Sequence, residues 1–343
     1  MSTDPLPGGW WVGARGRTGS WGTGKRQSVL AIRSPCPNTL GRMLGIDLTG
    51  RRAFVAGITD GNGFGYAIAR ALVEAGASVC FGVWPPALGV YERLAALGKL
   101  DSARRLEDGS LFEPERVYPL DAAYDGLDEV PLTVREDRRY LDRGDFTIDG
   151  VGARLAADFG DRPLDILVHS LANSPEIGND LLDTSRAGYL AALSVSSYSL
   201  VSMVKRWGPL FRRGGSVLSL SYIAGERVVA GYGGGMSAAK AALESDTRVL
   251  AFEAGRRWGL RVNTISAGPV ATRAASATGV IGRLIEEYER VTPRNAQLTT
   301  HEVAGCAAFL ASPLAHAVTG VTLYVDHGFH IMAWPGPATA ELA

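Results

Sequence analysis

The sequence predicts an α/β protein built on one open, doubly wound, seven-stranded parallel sheet with helices on both faces. Two observations lead to that prediction. From residue 47 onwards, short β-rich runs alternate with helix-patterned segments, and several of the runs are almost continuously apolar, as in strands covered on both faces. A glycine-rich turn also follows the first of these strands and opens a helix, which is the arrangement of a Rossmann-type domain.

The predicted elements follow one another along a single domain. The strands are RAFVAG (52–57), ASVCFGVW (77–84), RVYPLD (116–121), LDILVHS (164–170), SVLSLSY (216–222), RVNTISAG (261–268) and VTLYVD (321–326). Helical patterns lie between them, for example over 65–76 and 238–259. Residues 99–150 are polar, charged and poor in periodicity, so we interpret them as an excursion around the third strand. Because seven strands fill one domain, the prediction is a single domain over 47–332 with a short tail over 333–343.

Residues 1–46 differ in composition from the rest of the chain. Their basic residues are Arg15, Arg17, Lys25, Arg26, Arg33 and Arg42, and their single acid is Asp4. Acid-poor leaders that contain arginine and serine are typical of organelle transit peptides. A disordered tail, or a gene model extended upstream of a true start at Met43, is the alternative interpretation.

Composition argues against several classes of function. The chain has 35 basic and 35 acidic residues, so no global field attracts nucleic acid or an anionic membrane. Its cysteines (Cys36, Cys80 and Cys306) are far apart, which argues against a disulfide framework or a zinc site. The five histidines show no metal-ligand spacing, so we predict no metal. No apolar run in the sequence is long enough to span a membrane, which predicts a soluble protein.

The segment VAGITDGNGFGYAIA (55–69) has the features of a phosphate-binding turn. Gly57 permits a tight turn, while Gly63 and Gly65 let the backbone approach a pyrophosphate at the positive end of a helix. The spacing is G-x5-G-x-G and not the usual GxGxxG. Glycine turns also occur for packing alone, but the strand-to-helix context favours a dinucleotide cofactor.

The ends of the next two strands bear on which dinucleotide binds. The second strand ends in FGVWPP, so Trp84 stands where an acid usually contacts the adenosine ribose. No arginine is present there for a 2′-phosphate, which favours NADH over NADPH. Trp84 either lies near the adenine or is a core residue. Asp121 either accepts a hydrogen bond from the adenine amino group or caps a helix.

The segment GYGGGMSAAKAALE (231–244) places a lysine eight residues after a tyrosine. On a regular helix such residues are about 80° apart around the axis and about 12 Å apart along it, too far for direct cooperation. Three glycines, Gly233 to Gly235, predict an irregular helix start instead. Tyr232 would then lie on a turn at the cofactor edge of the sheet, with Lys240 on the helix behind it. A core tyrosine and a surface lysine are the alternative.

Six segments together resemble a known family. They are GITDGNGFGYAIA, YPLDA, DILVHSLANSPE, TSRAGYLAALSVSSYS, SYIAGERVVAGYGGGMSAAKAALESDTRVLAFEAGR and RVNTISAGPV. They resemble the enoyl-acyl-carrier-protein reductase of type II fatty-acid synthesis, a member of the short-chain dehydrogenase/reductase superfamily, in its plant-like plastid form. The extra glycine before Met236 matches that form. The C-terminal DHGFHIMA departs from the family's usual DNGLNSMG, a difference that concerns the pocket rim or a subunit contact.

The resemblance implies roles for individual residues. Tyr232 would hydrogen-bond the thioester carbonyl and stabilise an enolate, and Lys240 would bind the nicotinamide ribose. Tyr222 stands near the position of the catalytic serine of carbonyl-reducing relatives and would line the acyl pocket, with Met236 nearby. The predicted cofactor site comprises Gly57, Gly63, Phe64, Gly65, Trp84, Asp121, Ala122, Ser170, Leu171, Ala172, Leu220, Lys240, Ala267, Gly268, Pro269, Val270 and Thr272.

The resemblance also implies an activity and partners. The activity is reduction of the trans-2,3 double bond of enoyl-acyl-carrier-protein thioesters with NADH, in the chloroplast stroma, by a homotetramer. Lys205, Arg206, Arg212 and Arg213 are basic candidates for contact with the carrier protein. A carbonyl-reducing short-chain dehydrogenase is one alternative, but it requires a serine and a Tyr-x3-Lys pair that are absent in register. A non-catalytic NAD(H)-sensing protein is the other, and it would have no reason to keep both Tyr232 and Lys240.

Overall fold

Seven strands form one sheet in which every neighbouring pair is parallel. The computed structural model describes residues 45–272 and 281–333. The strands are β1 Arg52–Ala56, β2 Ser78–Val83, β3 Arg116–Pro119, β4 Leu164–His169, β5 Phe211–Ser221, β6 Arg261–Ala267 and β7 Thr322–Val325. Their order across the sheet is β3-β2-β1-β4-β5-β6-β7, so the direction of winding reverses between β1 and β4. Such a reversal opens a crevice at the carboxyl ends of the strands, where ligands of this fold bind.

Helices follow the strands as the alternating pattern predicts. They are α1 Phe64–Glu74, α2 Pro85–Ala96, α3 Asp101–Arg104, α4 Leu132–Arg135, α5 Ile148–Phe159, α6 Arg186–Leu193, α7 Ser199–Trp207, α8 Met236–Trp258, α9 Ile281–Val291 and α10 Thr300–Ala311. A turn of π-helix, Ser194–Tyr198, joins α6 to α7. The predicted doubly wound α/β sheet is therefore confirmed. The domain limits 47–332 and 333–343 stay predictions, and the predicted leader lies outside the described residues apart from its last two positions.

The core has two halves because alternate strand residues point to opposite faces of the sheet. Ala53 and Val55 of β1 pack in one cluster with α1 and α10, whereas Phe54 and Ala56 pack in the other with α5, α7 and α8. Both clusters consist of buried apolar side chains. This burial on both faces explains why the strands read as continuous apolar runs in the sequence.

One strand is longer than the sequence predicts. β5 begins at Phe211 and not at residue 216, because Phe211 is buried and pairs with Leu164 of β4. The pairing register then shifts between Leu164 and Ile166. The intervening RRGG (212–215) contains Gly214 at φ 88° and interrupts the apolar pattern, which hid the first part of the strand.

The expectation that no apolar run could span a membrane needs a correction. The helical stretch Arg186–Leu210 is long and apolar enough by composition, with a mean hydropathy of 1.4 over its 18-residue window. Half of that window is buried inside the protein. Leu200, Met203 and Trp207 from this stretch are fully enclosed in the second core cluster. The stretch is therefore a core helix of the α/β domain, and its apolar composition reflects that burial.

Candidate active site

Most of the predicted site residues stand directly after parallel strands, at one edge of the sheet. Gly57 follows β1, Ser170 follows β4, Tyr222 follows β5 and Gly268 follows β6. Backbone hydrogen bonds continue the ladder past the strands, from Ser170 N to the Ala56 carbonyl oxygen at 3.0 Å and from Gly268 N to the Val325 carbonyl oxygen at 3.0 Å. The carboxyl ends of four neighbouring strands thus form one continuous, hydrogen-bonded edge on which the site is built.

The turn before α1 leaves room for a phosphate-bearing ligand. Gly57 has φ 97°, and a side chain there would overlap the carbonyl oxygen of Ser170. Gly63 precedes α1 without providing a side-chain cap, and the first turn of α1 contains no acid. A Cβ added to Gly63 would meet nothing within 4 Å. The helix start therefore presents backbone N–H groups and a positive dipole to open space, as a pyrophosphate requires.

The start of α8 confirms the predicted irregular geometry. α8 begins at Met236, after Gly234 at φ 59° and Gly235 at φ 79°. Tyr232 therefore lies on the preceding turn, where its N–H donates to the Val229 carbonyl oxygen at 3.2 Å. Lys240 lies on the helix and is only 5% exposed. The alternative of a surface lysine is wrong.

Close contacts require glycine at two of the three positions before Met236, and the third, Gly235, has φ 79°. A side chain at Gly233 would overlap the Asn179 carbonyl oxygen, and one at Gly234 would overlap the Ser174 hydroxyl and the backbone of Glu176. Hydrogen bonds fix this close approach, from Gly234 N to the Asn179 carbonyl oxygen at 3.0 Å and from Ser174 Oγ to the Gly234 carbonyl oxygen at 2.7 Å. The turn that carries Tyr232 is thus clamped against the loop after β4.

Lys240 is held at the end of β5. Its Nζ donates to the carbonyl oxygen of Leu220 at 2.8 Å. Burial lowers the pKa of the ammonium to about 8, and the nearby Glu244 carboxylate opposes that shift. An ammonium has three donors, so bonding to Leu220 leaves two for a ligand such as ribose hydroxyls.

Two tyrosines meet at the same end of β5, where Tyr222 follows the strand. The ring centroids of Tyr222 and Tyr232 are 5.1 Å apart, with their planes at 59°. Burial raises the pKa of Tyr222 to about 12. Burial, and secondarily Tyr222, raises the pKa of Tyr232 still further above its ordinary value. Both phenols keep their protons at neutral pH and can donate a hydrogen bond. A small cavity of about 100 Å³ lies beside Tyr232 and is also lined by Leu181 and Tyr189.

The other predicted residues lie around the same edge with different exposures. Phe64 is half-buried and packs on the core cluster of α1, whereas Gly65 packs against Ser170. Met236 is buried and its Sδ accepts from Ser196 Oγ at 3.5 Å, so its contact with substrate stays a prediction. The residues that the structure places at the ends of β3, β4 and β6 are Ala122, Leu171, Ala172, Ala267, Pro269, Val270 and Thr272.

Sequence reasoning missed the internal partners of two predicted cofactor residues. Asp121 and Trp84 both contact Tyr140, which comes from the excursion after β3. Asp121 Oδ1 also accepts from Ala123 N at 3.0 Å, as in a capping turn. Tyr140 lies in a segment without periodicity, so no sequence signal linked it to the strand ends.

His169, the last residue of β4, is one of the five histidines for which the sequence shows no metal-ligand spacing. It is fully buried, and its Nε2 is 2.6 Å from Ser199 Oγ, which itself donates to the Val195 carbonyl oxygen. Burial, with a smaller effect of Lys240, lowers the pKa of His169 to about 3. The imidazole is therefore neutral at neutral pH, and Ser199 joins β4 to the π-helical turn.

Comparisons with known proteins show the family of the chain. A family model described as "Enoyl-(Acyl carrier protein) reductase" matches residues 144–330. The chain is 53% identical over 311 residues to the chloroplastic enoyl-[acyl-carrier-protein] reductase [NADH] 1 of Oryza sativa subsp. japonica, covering 91% of this chain and 82% of the relative. It is 52% identical over 305 residues to the chloroplastic enzyme of Arabidopsis thaliana, covering 89% of this chain and 78% of that protein.

Solved structures of enoyl-acyl-carrier-protein reductases also match the chain. The crystal structure of Plasmodium berghei enoyl-acyl-carrier-protein reductase with triclosan matches with a TM-score of 0.80 and 43% identity, covering 83% of this chain and 99% of that one. The reductase of Anaplasma phagocytophilum in complex with NAD matches with a TM-score of 0.68 and 28% identity, covering 84% of this chain and 97% of that one.

Proposed function

The chain belongs to the enoyl-acyl-carrier-protein reductase family, and from that premise we infer that Tyr232 and Lys240 carry its reaction. The protein reduces the carbon–carbon double bond of enoyl-acyl-carrier-protein thioesters with NADH, as its relatives' names state for them. The observation that supports the assignment is the arrangement at the carboxyl end of β5, where the ring of Tyr232 packs on Tyr222 and the buried Lys240 ammonium donates to the Leu220 carbonyl oxygen.

NADH, when bound, supplies a hydride for the β-carbon of the enoyl thioester. The residues of the chain then have to stabilise the negative charge that develops on the thioester carbonyl oxygen, until a proton from water is added at the α-carbon and completes the reduction. The protonated phenol of Tyr232 donates a hydrogen bond to that oxygen, and a preorganised donor of this kind is worth roughly 3 kcal/mol in the transition state. Tyr222 packs against Tyr232, keeps it in place and lines the acyl pocket.

The fit of NADH to the site rests on groups already described. The N–H groups at the start of α1 suit the pyrophosphate, and Gly57 keeps that turn close to Ser170. The two remaining donors of Lys240 suit the nicotinamide ribose, which keeps the ammonium close to the developing charge. Residues 267–270, the last residue of β6 and the three that follow it, suit the nicotinamide amide.

An assay with two thioesters tests this function against both alternatives. We expect NADH oxidation with crotonyl-CoA and none with acetoacetyl-CoA. Oxidation with acetoacetyl-CoA alone would identify a carbonyl reductase instead. Tight NADH binding without turnover of either thioester would identify a sensing protein.

The compartment and the partners follow from the same family. The plant relatives are chloroplastic, and this protein works in the same compartment with an acyl-carrier protein as its partner. Of the four basic candidates for carrier contact, two are engaged within the chain. Arg206 pairs with Asp125 at 3.1 Å and with Asp149 at 2.8 Å, and Arg212 pairs with Asp165 at 3.0 Å.

The homotetrameric state is part of the proposal and is supported by the outer face of α8. Phe252 is 63% exposed there, and Val249 is exposed beside it. A surface depression of about 550 Å³ continues from this helix to the segment before β7, and Arg248, Ala251, Phe252, Gly255, Arg256, Thr319 and Gly320 line it. Large exposed apolar side chains next to a concave surface are typical of subunit contacts.

A further inference from the structure

Three side chains from separate parts of the chain meet beyond the end of β2. Trp84 follows β2 and Asp121 follows β3. Tyr140 belongs to the part of the excursion (residues 99–150) that comes after β3. Trp84 Nε1 donates to Asp121 Oδ2 at 3.1 Å and also lies 3.1 Å from the Tyr140 hydroxyl. The Tyr140 hydroxyl donates to the same Asp121 Oδ2 at 2.7 Å.

The three side chains differ sharply in exposure. Asp121 is 7% exposed and Tyr140 is 8% exposed, whereas Trp84 is 47% exposed. An exposed indole ordinarily exchanges between rotamers. Here two buried groups hold its N–H edge, so the ring has a fixed orientation while much of its surface faces solvent. A core tryptophan would be enclosed, whereas this indole combines a fixed orientation with an accessible ring face. A surface on which another ring stacks needs both properties.

The excursion is attached to the sheet at this point. Val130, Tyr140 and Phe146 form a small apolar cluster of their own, and the rings of Tyr140 and Phe146 lie 4.8 Å apart at 63°. Asp121 N donates to the Phe146 carbonyl oxygen at 2.8 Å. The excursion therefore contacts Asp121 through both its backbone and the Tyr140 hydroxyl.

The carboxylate of Asp121 is largely occupied by the protein. Its Oδ2 accepts from Trp84 and Tyr140, and its Oδ1 accepts from Ala123 N. A carboxylate has about four acceptor positions, so three of them are filled. The sequence left two roles open for Asp121, a hydrogen bond to the adenine amino group or a cap. Its contacts are with groups of the protein, and the bond from Ala123 N is that of a cap.

We propose that Tyr140 is a positioning residue for NADH, which acts through Asp121 to hold the indole of Trp84 as a preformed platform for the adenine. The inference rests on the proposed NADH-dependent function. Its physical basis is preorganisation: ordering one side chain on binding costs about 0.5–1.5 kcal/mol, and here the protein has ordered the indole beforehand. Adenine stacks on aromatic rings, and Trp84 stands at the strand end that faces the adenosine in this fold.

A double-mutant cycle on the full chain tests the inference. The variants are Tyr140→Phe, Trp84→Ala and the double variant, with Tyr124→Phe as a matched control. Tyr124 packs against the same apolar cluster, and no side-chain hydrogen bond of its hydroxyl is found among the described residues. We measure the dissociation constant of NADH, the KM for NADH, the kcat and the KM for crotonyl-CoA, with thermal unfolding as a check on folding.

Tyr140→Phe should weaken NADH binding and raise the KM for NADH roughly three- to tenfold, the range given by the ordering cost of one side chain. The kcat at saturating NADH and the KM for crotonyl-CoA should stay unchanged, since the nicotinamide end is untouched. In the Trp84→Ala background the Tyr140→Phe effect should vanish, because the residue through which it acts is gone. Trp84→Phe removes the N–H contact and part of the ring face as well, so it should weaken NADH binding at least as much as Tyr140→Phe.

Several outcomes would overturn the inference. They are unchanged NADH affinity in Tyr140→Phe and Trp84→Phe, an equal loss in Tyr124→Phe, or a Tyr140→Phe effect that persists without Trp84. A fall in kcat without a change in the KM for NADH would assign Tyr140 a general structural role. If the wild-type protein binds no NADH, the proposed function fails too, whereas normal wild-type binding with unaffected variants removes only this inference.

Discussion

A buried lysine and two protonated tyrosines, all at the carboxyl end of β5, are the central feature of the site at the scale of single residues. Lys240 has lost most of its hydration, and burial lowers the pKa of its ammonium to about 8. The Tyr222 and Tyr232 phenols titrate well above neutral pH for the same reason. At neutral pH the site therefore contains one cation and two neutral donors, which suits a developing negative charge.

The lowered pKa of Lys240 gives a pH prediction. The required form is the charged ammonium, so activity should be constant below about pH 8 and fall as the pH rises through that value. The kcat/KM for NADH should show this limb because it reports groups of the free enzyme. In the kcat profile the limb should lie at higher pH, because the phosphates of bound NADH favour the ammonium. A kcat/KM that stays level to pH 10, roughly the ordinary value for lysine, would contradict the role of Lys240.

Residue types and spacing predicted part of this site and left another part hidden. Tyr232 and Lys240 could be paired from sequence because the glycines between them predict where the helix cannot be regular. Tyr140 could not be linked to Asp121, since the contact joins residues 19 apart through a segment without periodicity. The burial that sets the pKa of Lys240 is likewise a property of tertiary packing, which spacing does not report.

At the scale of elements, two turns carry most of the residues of the proposed site, and each is set by glycines at strand or helix ends. The turn after β1 approaches Ser170, and the turn before α8 approaches Asn179 and Ser174. Strand and helix periodicity predicted both turns to within a few residues. It missed the first part of β5, because the RRGG segment breaks the apolar pattern while the backbone continues to pair.

Two glycines of the first turn should respond differently to alanine. Gly57→Ala forces a side chain to φ 97° and against the Ser170 backbone, so the free energy of unfolding should fall by about 1–3 kcal/mol. Gly63→Ala has open space and an ordinary φ of −78°, so stability should change by less than about 1 kcal/mol. NADH binding should still weaken, roughly tenfold, because the new methyl group stands where the pyrophosphate approaches.

Denaturant unfolding of Gly57→Ala and Gly63→Ala measures their stability, and NADH titration measures their affinity for the cofactor. Gly305→Ala is the control, since Gly305 is exposed within α10 and has open space for a Cβ. It should leave NADH binding unchanged. If Gly63→Ala bound NADH as tightly as the wild-type protein, the turn before α1 would not be the phosphate site.

At the scale of the whole molecule, the sheet topology brings chemistry from distant parts of the chain to one edge. The order β3-β2-β1-β4-β5-β6-β7 sets residues after β1, β4, β5 and β6 side by side. The alternating sequence pattern predicted this architecture, because burial on both faces demands continuous apolar strands. The pattern could not show that Arg186–Leu210, which matches a membrane span by composition, is a core helix, since sequence hydropathy does not distinguish a core helix from one in lipid.

The exposed face of α8 gives a prediction about assembly. The protein should sediment as a tetramer at micromolar concentration, and Phe252→Glu should shift it to smaller species because a charge would replace an exposed aromatic ring in the subunit contact. Analytical ultracentrifugation measures both. The control is Phe309→Glu, another partly exposed phenylalanine that lies on α10. A wild-type monomer, or an unchanged tetramer in Phe252→Glu, would contradict this assignment of the surface.

The hydrogen bond from Tyr232 to the thioester is the element on which the proposed chemistry depends most directly. The decisive measurement is the kcat for crotonyl-CoA at saturating NADH in Tyr232→Phe, with Tyr222→Phe as its partner variant. Each change removes one hydroxyl and keeps the packed ring. The Tyr232 variant should lose roughly ten- to a thousandfold in kcat with NADH affinity unchanged, and the Tyr222 variant should lose less. Full activity in a folded, NADH-binding Tyr232→Phe protein would contradict the account and make Tyr222 the donor.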